Sequence, residues 1–170
     1  MSGTRRGRET ALDMVRTLAV VFALVLPLWF FGRSSPGDAK RIRPVDPRDA
    51  YAAFVADTHA AVPASTPAGW TCTVRAYDPG GVLRVGYVND DAYVEFSGAR
   101  GTSFLAEATG QADPVGTVAV DGTPWQDYRS AQGQQSLVLT RAGVTVLVGG
   151  ERETATQEQL VAFARTVRPG

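Results

Sequence analysis

The hydrophobic positions of this chain fall into three regimes. Residues 17–31, TLAVVFALVLPLWFF, form an unbroken apolar run bounded by Arg16 and Arg33. Residues 33–45, RSSPGDAKRIRPV, are polar and rich in turn formers. From residue 46 onward, apolar positions recur at helical spacing near both ends and alternate in between, the pattern of helices flanking a set of strands.

The apolar run predicts a membrane span. Taken from 14 to 32, it is about 28 Å long as a helix, close to the roughly 30 Å hydrocarbon core of a bilayer. Ten of the fifteen residues 17–31 are Leu, Val or Phe. At roughly −0.3 to −0.6 kcal/mol each, they favour insertion by several kcal/mol even with Pro27 present. The expected organisation is a short basic cytoplasmic tail over 1–13, an uncleaved transmembrane helix over 14–32, a tether over 33–45 and an extracytoplasmic domain over 46–170. A cleaved signal peptide is the alternative, with small residues at Gly37 and Ala39. Trp29, Phe30 and Phe31, placed like an interfacial aromatic belt, argue for the anchor. Basic residues cluster on both sides of the run, so charge bias alone leaves the orientation nearly a draw.

Residues 46–170 read as one α+β domain. Asp46 as N-cap and Pro47 at the first helical position open a helix, with Asp49 in the first turn. Tyr51, Phe54, Val55, Thr58 and Val62 share one face, and Pro63 stops the helix. Strands are predicted over 70–77, 82–88, 92–97, 117–120, 125–130, 136–140 and 144–148, with turn sequences between them. A short helix over 103–108 interrupts the series. A final helix starts at Thr156, with Glu158 and Gln159 behind it and Leu160, Phe163, Ala164 and Val167 inward. The hairpin-like succession predicts a mainly antiparallel sheet of six or seven strands packed against an N-terminal and a C-terminal helix. The expected core is Trp70, Val85, Tyr87, Val94, Phe96, Val120, Trp125, Leu137, Val146, Val148, Leu160 and Phe163.

Charge narrows the range of partners. The chain has no net charge, yet residues 49–170 carry eight Arg against thirteen acids. The only lysine, Lys40, lies in the tether. A nucleic-acid surface needs clustered cations in the folded part, so no nucleic-acid partner is expected. The roughly 125 residues of the domain can bury a core without disulfides or metal. Cys72 is unpaired, sits in a strand-like stretch and reads as a small buried residue.

Chemistry-bearing residues are few. His59 is the sole histidine, predicted at the boundary of the first helix's apolar face, and no serine has a nucleophile-elbow context. A Ser-Lys pair would need Lys40. One His and one Cys cannot supply a zinc set, and no EF-hand or phosphate-cradling pattern occurs. Asp90, Asp91 and Glu95 in one region, and Glu151 with Glu153 in another, could do glycosidic acid/base work or hold Ca2+ if the fold joined them. Their turn positions equally suit structural roles. Trp70, Trp125, Tyr77, Tyr87, Tyr93 and Tyr128 serve either a core or a ligand groove. No catalytic residue, cofactor or metal ligand is assigned.

The basic start RRGRETALDMVRTLAVV, the motifs GW, VGYV, YVEF, VDGTPW and SLV, and GVTVLVGG before a helix ending RTVRP occur in that order. Together they resemble an actinobacterial family of single-pass membrane proteins with an extracytoplasmic domain of unknown function. The last third is also similar to the closing strand and helix of domains in some membrane-bound anti-sigma proteins and envelope lipoproteins. The resemblance implies a plasma-membrane location with the N-terminus inside, and it carries no catalytic residues. The expected partners are the lipid bilayer, through residues 14–32, and an envelope protein or cell-wall ligand. The expected role is non-enzymatic binding. A hydrolase using carboxylates only and a sensor or assembly subunit are the alternatives.

Overall fold

The computed structural model describes residues 43–90, 92–101 and 103–168. The expected span over 14–32 and most of the tether lie outside them. Among the described residues no helix is long and apolar enough to cross a membrane. Residues 42–170 form a compact unit of their own.

Helix α1 (Arg48–Thr58) buries Tyr51, Phe54 and Thr58, a stripe at three- and four-residue spacing. Its start differs from the expected cap. Pro47 already has near-helical angles, and its carbonyl accepts from Tyr51 N at 3.0 Å, so Pro47 occupies the cap position. Asp46 stays outside, where its Oδ1 accepts from Arg48 N at 3.0 Å. The other end also comes early. His59 takes a left-handed conformation (φ 55°) and its N–H closes the helix on Val55 O. The chain therefore turns before Val62, which lies off the helical face. Val62 belongs to β1 (Val62–Pro63), paired with β9 (Val167–Arg168) in a two-stranded ribbon.

Seven strands build the main sheet: β2 (Thr71–Tyr77), β3 (Leu83–Asn89), β4 (Ala92–Arg100), β5 (Pro114–Val120), β6 (Thr123–Arg129), β7 (Gln134–Arg141) and β8 (Val144–Glu151). Their spatial order is β2-β3-β4-β8-β7-β6-β5, and every pairing is antiparallel. Two meanders thus meet at a β4–β8 seam. The chain leaves β4 through α2 (Ser103–Ala108), reaches the far edge at β5 and walks back strand by strand. Asp121-Gly122 and Ala142-Gly143 turn two of the hairpins with positive φ at both central residues. That matches the sheet's twist and is where glycine is at no steric disadvantage.

Alternation sends one set of side chains toward α1 and α3 (Gln157–Ala164). Tyr51 and Phe54 from α1 and Leu160 and Phe163 from α3 share this cluster with Val85, Tyr87, Val94, Phe96, Trp125, Leu137, Val146 and Val148. Rings meet edge-on, with Tyr51 and Phe96 centroids 5.7 Å apart and Trp70 and Phe163 at 5.2 Å. Of the expected core, only Trp70 is not fully buried, because it precedes β2 in a loop and offers one side to Phe163. Thr156 and Gln159 exchange hydrogen bonds in a reciprocal cap at the start of α3. A smaller cluster of Tyr128, Val138 and Leu147 lies on the opposite face, against Leu105, Ala108 and Ala112 of the α2 segment. Helix α2 has two turns at most and leaves much of that face uncovered.

Candidate functional site

The uncovered part of the second face carries the most concentrated polar chemistry. On β3 the outward positions are Arg84 and Gly86; on β4 they are Tyr93, Glu95 and Ser97. β8 adds Gly149 and Glu151, β7 adds Gln134 and Ser136, and α2 brings Phe104 and Glu107 over one side. Together they enclose an open cleft of about 300 Å³.

Small residues make the cleft concave. A Cβ on Gly86 would run into the Tyr93 ring, so the phenol lies down across the β3 backbone, an aromatic side chain covering a strand glycine. A Cβ on Gly149 would come within 2.8 Å of Ser136 Oγ. Ser97 and Ser136 are buried on the floor. Tyr93 is 40% exposed, the one large aromatic among the described residues left open to solvent.

The charges are arranged around Arg84. Its guanidinium lies 3.3 Å from Glu107 Oε1 and 3.9 Å from Glu95 Oε1. Tyr93 OH donates to Glu95 Oε2 at 3.3 Å. Burial pushes the Tyr93 phenol up to about 12, and the neighbouring Glu95 carboxylate adds to the rise. The phenol is therefore a donor throughout the physiological range. The cleft thus offers a ring face, carboxylate acceptors, a guanidinium and two hydroxyls, a set suited to orienting a polar ligand by hydrogen bonds around one apolar contact.

The sequence-singled acids separate into two groups. Glu95 and Glu151 line the same cleft. Asp90 sits exposed in the β3–β4 turn with φ 46°, and Glu153 lies exposed in the turn after β8. Asp91 is outside the described residues. Among the described residues no three His, Cys, Asp or Glu side chains gather as a metal set. Cys72 is buried and its thiol, raised by that burial, leans toward Val74 O. His59 is exposed at the end of α1, outside the helix in which it was expected, and faces another hollow on the other side of the sheet.

Of the aromatics, Trp125, Tyr87 and Tyr128 are buried, and Trp70 and Tyr77 are half-buried. Tyr87 OH meets Tyr51 OH at 2.6 Å. Arg84, Glu107, Ser97 and Ser136 were not singled out from the sequence. The usable signal is parity: Arg84 shares its outward register with Gly86, and Ser97 shares it with Tyr93 and Glu95. Another unforeseen group is Asp127, a buried carboxylate 2.9 Å from Arg129 Nη2 that also accepts from Gln135 Nε2 at 3.3 Å.

The chain belongs to a family described as a protein of unknown function (DUF4245), whose model matches residues 6–167. The match includes both the apolar run and the folded domain. No curated protein matches the chain significantly.

Proposed function

We propose that this protein is a membrane-anchored, extracytoplasmic, non-enzymatic binding module whose cleft takes a polar cell-wall ligand, a glycan in the first instance. Residues 14–32 are the anchor, with the N-terminus cytoplasmic and residues 46–170 outside. The anchor reading rests on the uncharged run, its arginine flanks and its length. The binding reading rests on one observation. Tyr93 lies flat and exposed beside Glu95 and Arg84, a platform on which the apolar face of a sugar ring stacks while carboxylates and hydroxyls take its OH groups.

Titration calorimetry of the full chain in a neutral detergent, with soluble peptidoglycan fragments, tests the cleft. Saturable binding that falls at least tenfold in Tyr93→Ala and in Glu95→Gln is the expected result. No binding by the unaltered chain, or binding indifferent to both changes, refutes it. The meeting of Glu95 and Glu151 in one cleft favours a second reading, hydrolysis by carboxylates alone. Release of reducing ends during the same titration, lost in Glu151→Gln, would decide for it.

A further inference from the structure

On the face of the sheet opposite that cleft, where α1 ends, a hollow of about 460 Å³ opens beside the β7–β8 hairpin. Its floor is apolar, made by Leu139, Val144 and Val146, and Ala60 forms part of the wall. Arg100 and Arg141 stand at its rim, and no acid lines it. Both arginines lack an ion-pair partner among the described residues. The Arg100 guanidinium donates to the carbonyl of Asp57, whose carboxylate is engaged by the Tyr77 hydroxyl. Arg100 also borders a neighbouring hollow with Asp57 and Asp78, so Arg141 is the guanidinium of the two with no acid lining a hollow at the Arg100 end.

A second hollow, of about 160 Å³, shares Ala61, Leu139 and Arg141 with the first and reaches Trp125 and Val167. The acid there, Asp121, is held by Arg165 at 3.6 Å and Arg168 at 3.8 Å. Through those shared residues the two hollows adjoin as a track, with Arg100 at one end and, at the other, Val120, Trp125 and Val167 beside the ion-paired Asp121 and Arg168.

We propose that this track binds a single-chain acyl carboxylate, its head between Arg100 and Arg141 and its tail along Leu139 toward Trp125. Charge complementarity selects the head: a guanidinium fork matches a carboxylate, and its attraction is stronger where apolar walls exclude water. Burial of the tail against Leu139, Val144 and Val146 supplies the remainder. The site is independent of the glycan cleft, and neither reading needs the other.

The placement of Trp125 gives the test a local reporter. The full chain carrying Trp29→Phe, so that the expected anchor holds no tryptophan in the micelle, is titrated in a neutral sugar-headgroup detergent with ω-bromoundecanoate, whose bromine quenches tryptophan on contact. Saturable quenching is expected, with affinity reduced roughly tenfold by Arg100→Ala or Arg141→Ala, the loss of one charge-assisted pair. Trp125→Phe should remove most of the quenching while calorimetry shows the binding retained. Equal quenching by ω-bromoundecanol, or quenching unchanged in both arginine variants, identifies mere micelle partition and overturns the proposal. Competition by acetate or inorganic phosphate at the same concentrations as the acyl compound would reduce the site to an anion site and overturn the acyl assignment. Near-ultraviolet circular dichroism of each variant separates loss of binding from loss of fold.

Discussion

Replacing Gly98 by Ala tests how tightly α1 is pressed onto the sheet. An added Cβ would lie 2.9 Å from Phe54 Cζ, 3.2 Å from Phe54 Cε1 and 3.2 Å from the Thr145 carbonyl oxygen. Phe54 is fully buried and Thr145 O is backbone of the neighbouring strand, so neither can swing into open space. Overpacking of this kind costs about 1 to 3 kcal/mol. Against it stands the usual gain of about 0.4 to 1 kcal/mol when alanine restricts the unfolded chain. The clash outweighs that gain, leaving a net destabilisation of about 0.5 to 2 kcal/mol. Gly116 is the internal control. It also lies in a strand, has no positive φ and would place its Cβ in open space, so Gly116→Ala should be neutral or slightly stabilising. Urea unfolding followed by tryptophan fluorescence measures both, with the midpoint moving at constant slope. The double variant Gly98→Ala with Phe54→Leu should lose less than the two single changes added together, because the shorter side chain relieves the contact. Equal midpoints for the alanine variants at 98 and 116 would refute this close packing of Phe54 on the sheet.

Trp125→Ala removes a large ring that is 2% exposed and should cost about 3 to 5 kcal/mol in the same assay. Thr156→Ala dissolves the reciprocal cap of α3 and should cost about 0.5 to 2 kcal/mol, with Thr156→Asn largely restoring it. Burial pushes the Tyr87 phenol up to about 12, above its ordinary value of about 10. The folded state therefore prefers the protonated phenol. This contribution is fully present below about pH 10 and is lost as pH rises toward 12, so unfolding midpoints should fall across that window and fall less steeply in Tyr87→Phe. Mass spectrometry of the membrane-extracted chain should find residues 14–32 retained; a mature N-terminus near Lys40 would mean a cleaved leader.

The sheet was readable because strand alternation is a local property. Val85 and Tyr87, Val94 and Phe96, and Val146 and Val148 each sit two apart, and that spacing alone directs them to one face. The start of the final helix was readable for the same reason, since a Thr-to-Gln spacing of three residues carries its own start signal, but its end was not: the helix stops at Ala164, and Val167, expected on its inward face, pairs with Pro63 in the two-stranded ribbon. The ends of α1 were read less well: Pro47 competes with Asp46 for the cap, and a left-handed His59 has no signature as strong as glycine. Strand order was illegible, because no local pattern says that β8 rather than β5 lies beside β4. The cleft was legible only in fragments. Tyr93, Glu95 and Glu151 drew attention as residue types, whereas Arg84 and Glu107 look like solvated charges until β3, β4 and α2 are placed together.

The β4–β8 seam also bears on how the chain reaches this structure. Pairings within each meander form between neighbours in sequence, whereas the seam joins Arg100 to Val144 at one end and Val94 to Gly150 at the other. Closing a loop of roughly 50 residues costs about 3 to 4 kcal/mol of chain entropy before any seam contact repays it. Assembly is therefore expected to be paced by the docking of two preformed halves, with changes confined to one half mainly slowing folding. The same asymmetry makes the middle of the sheet, not its edges, the place where a slowed or arrested chain would leave two unpaired strand borders exposed to other copies of itself.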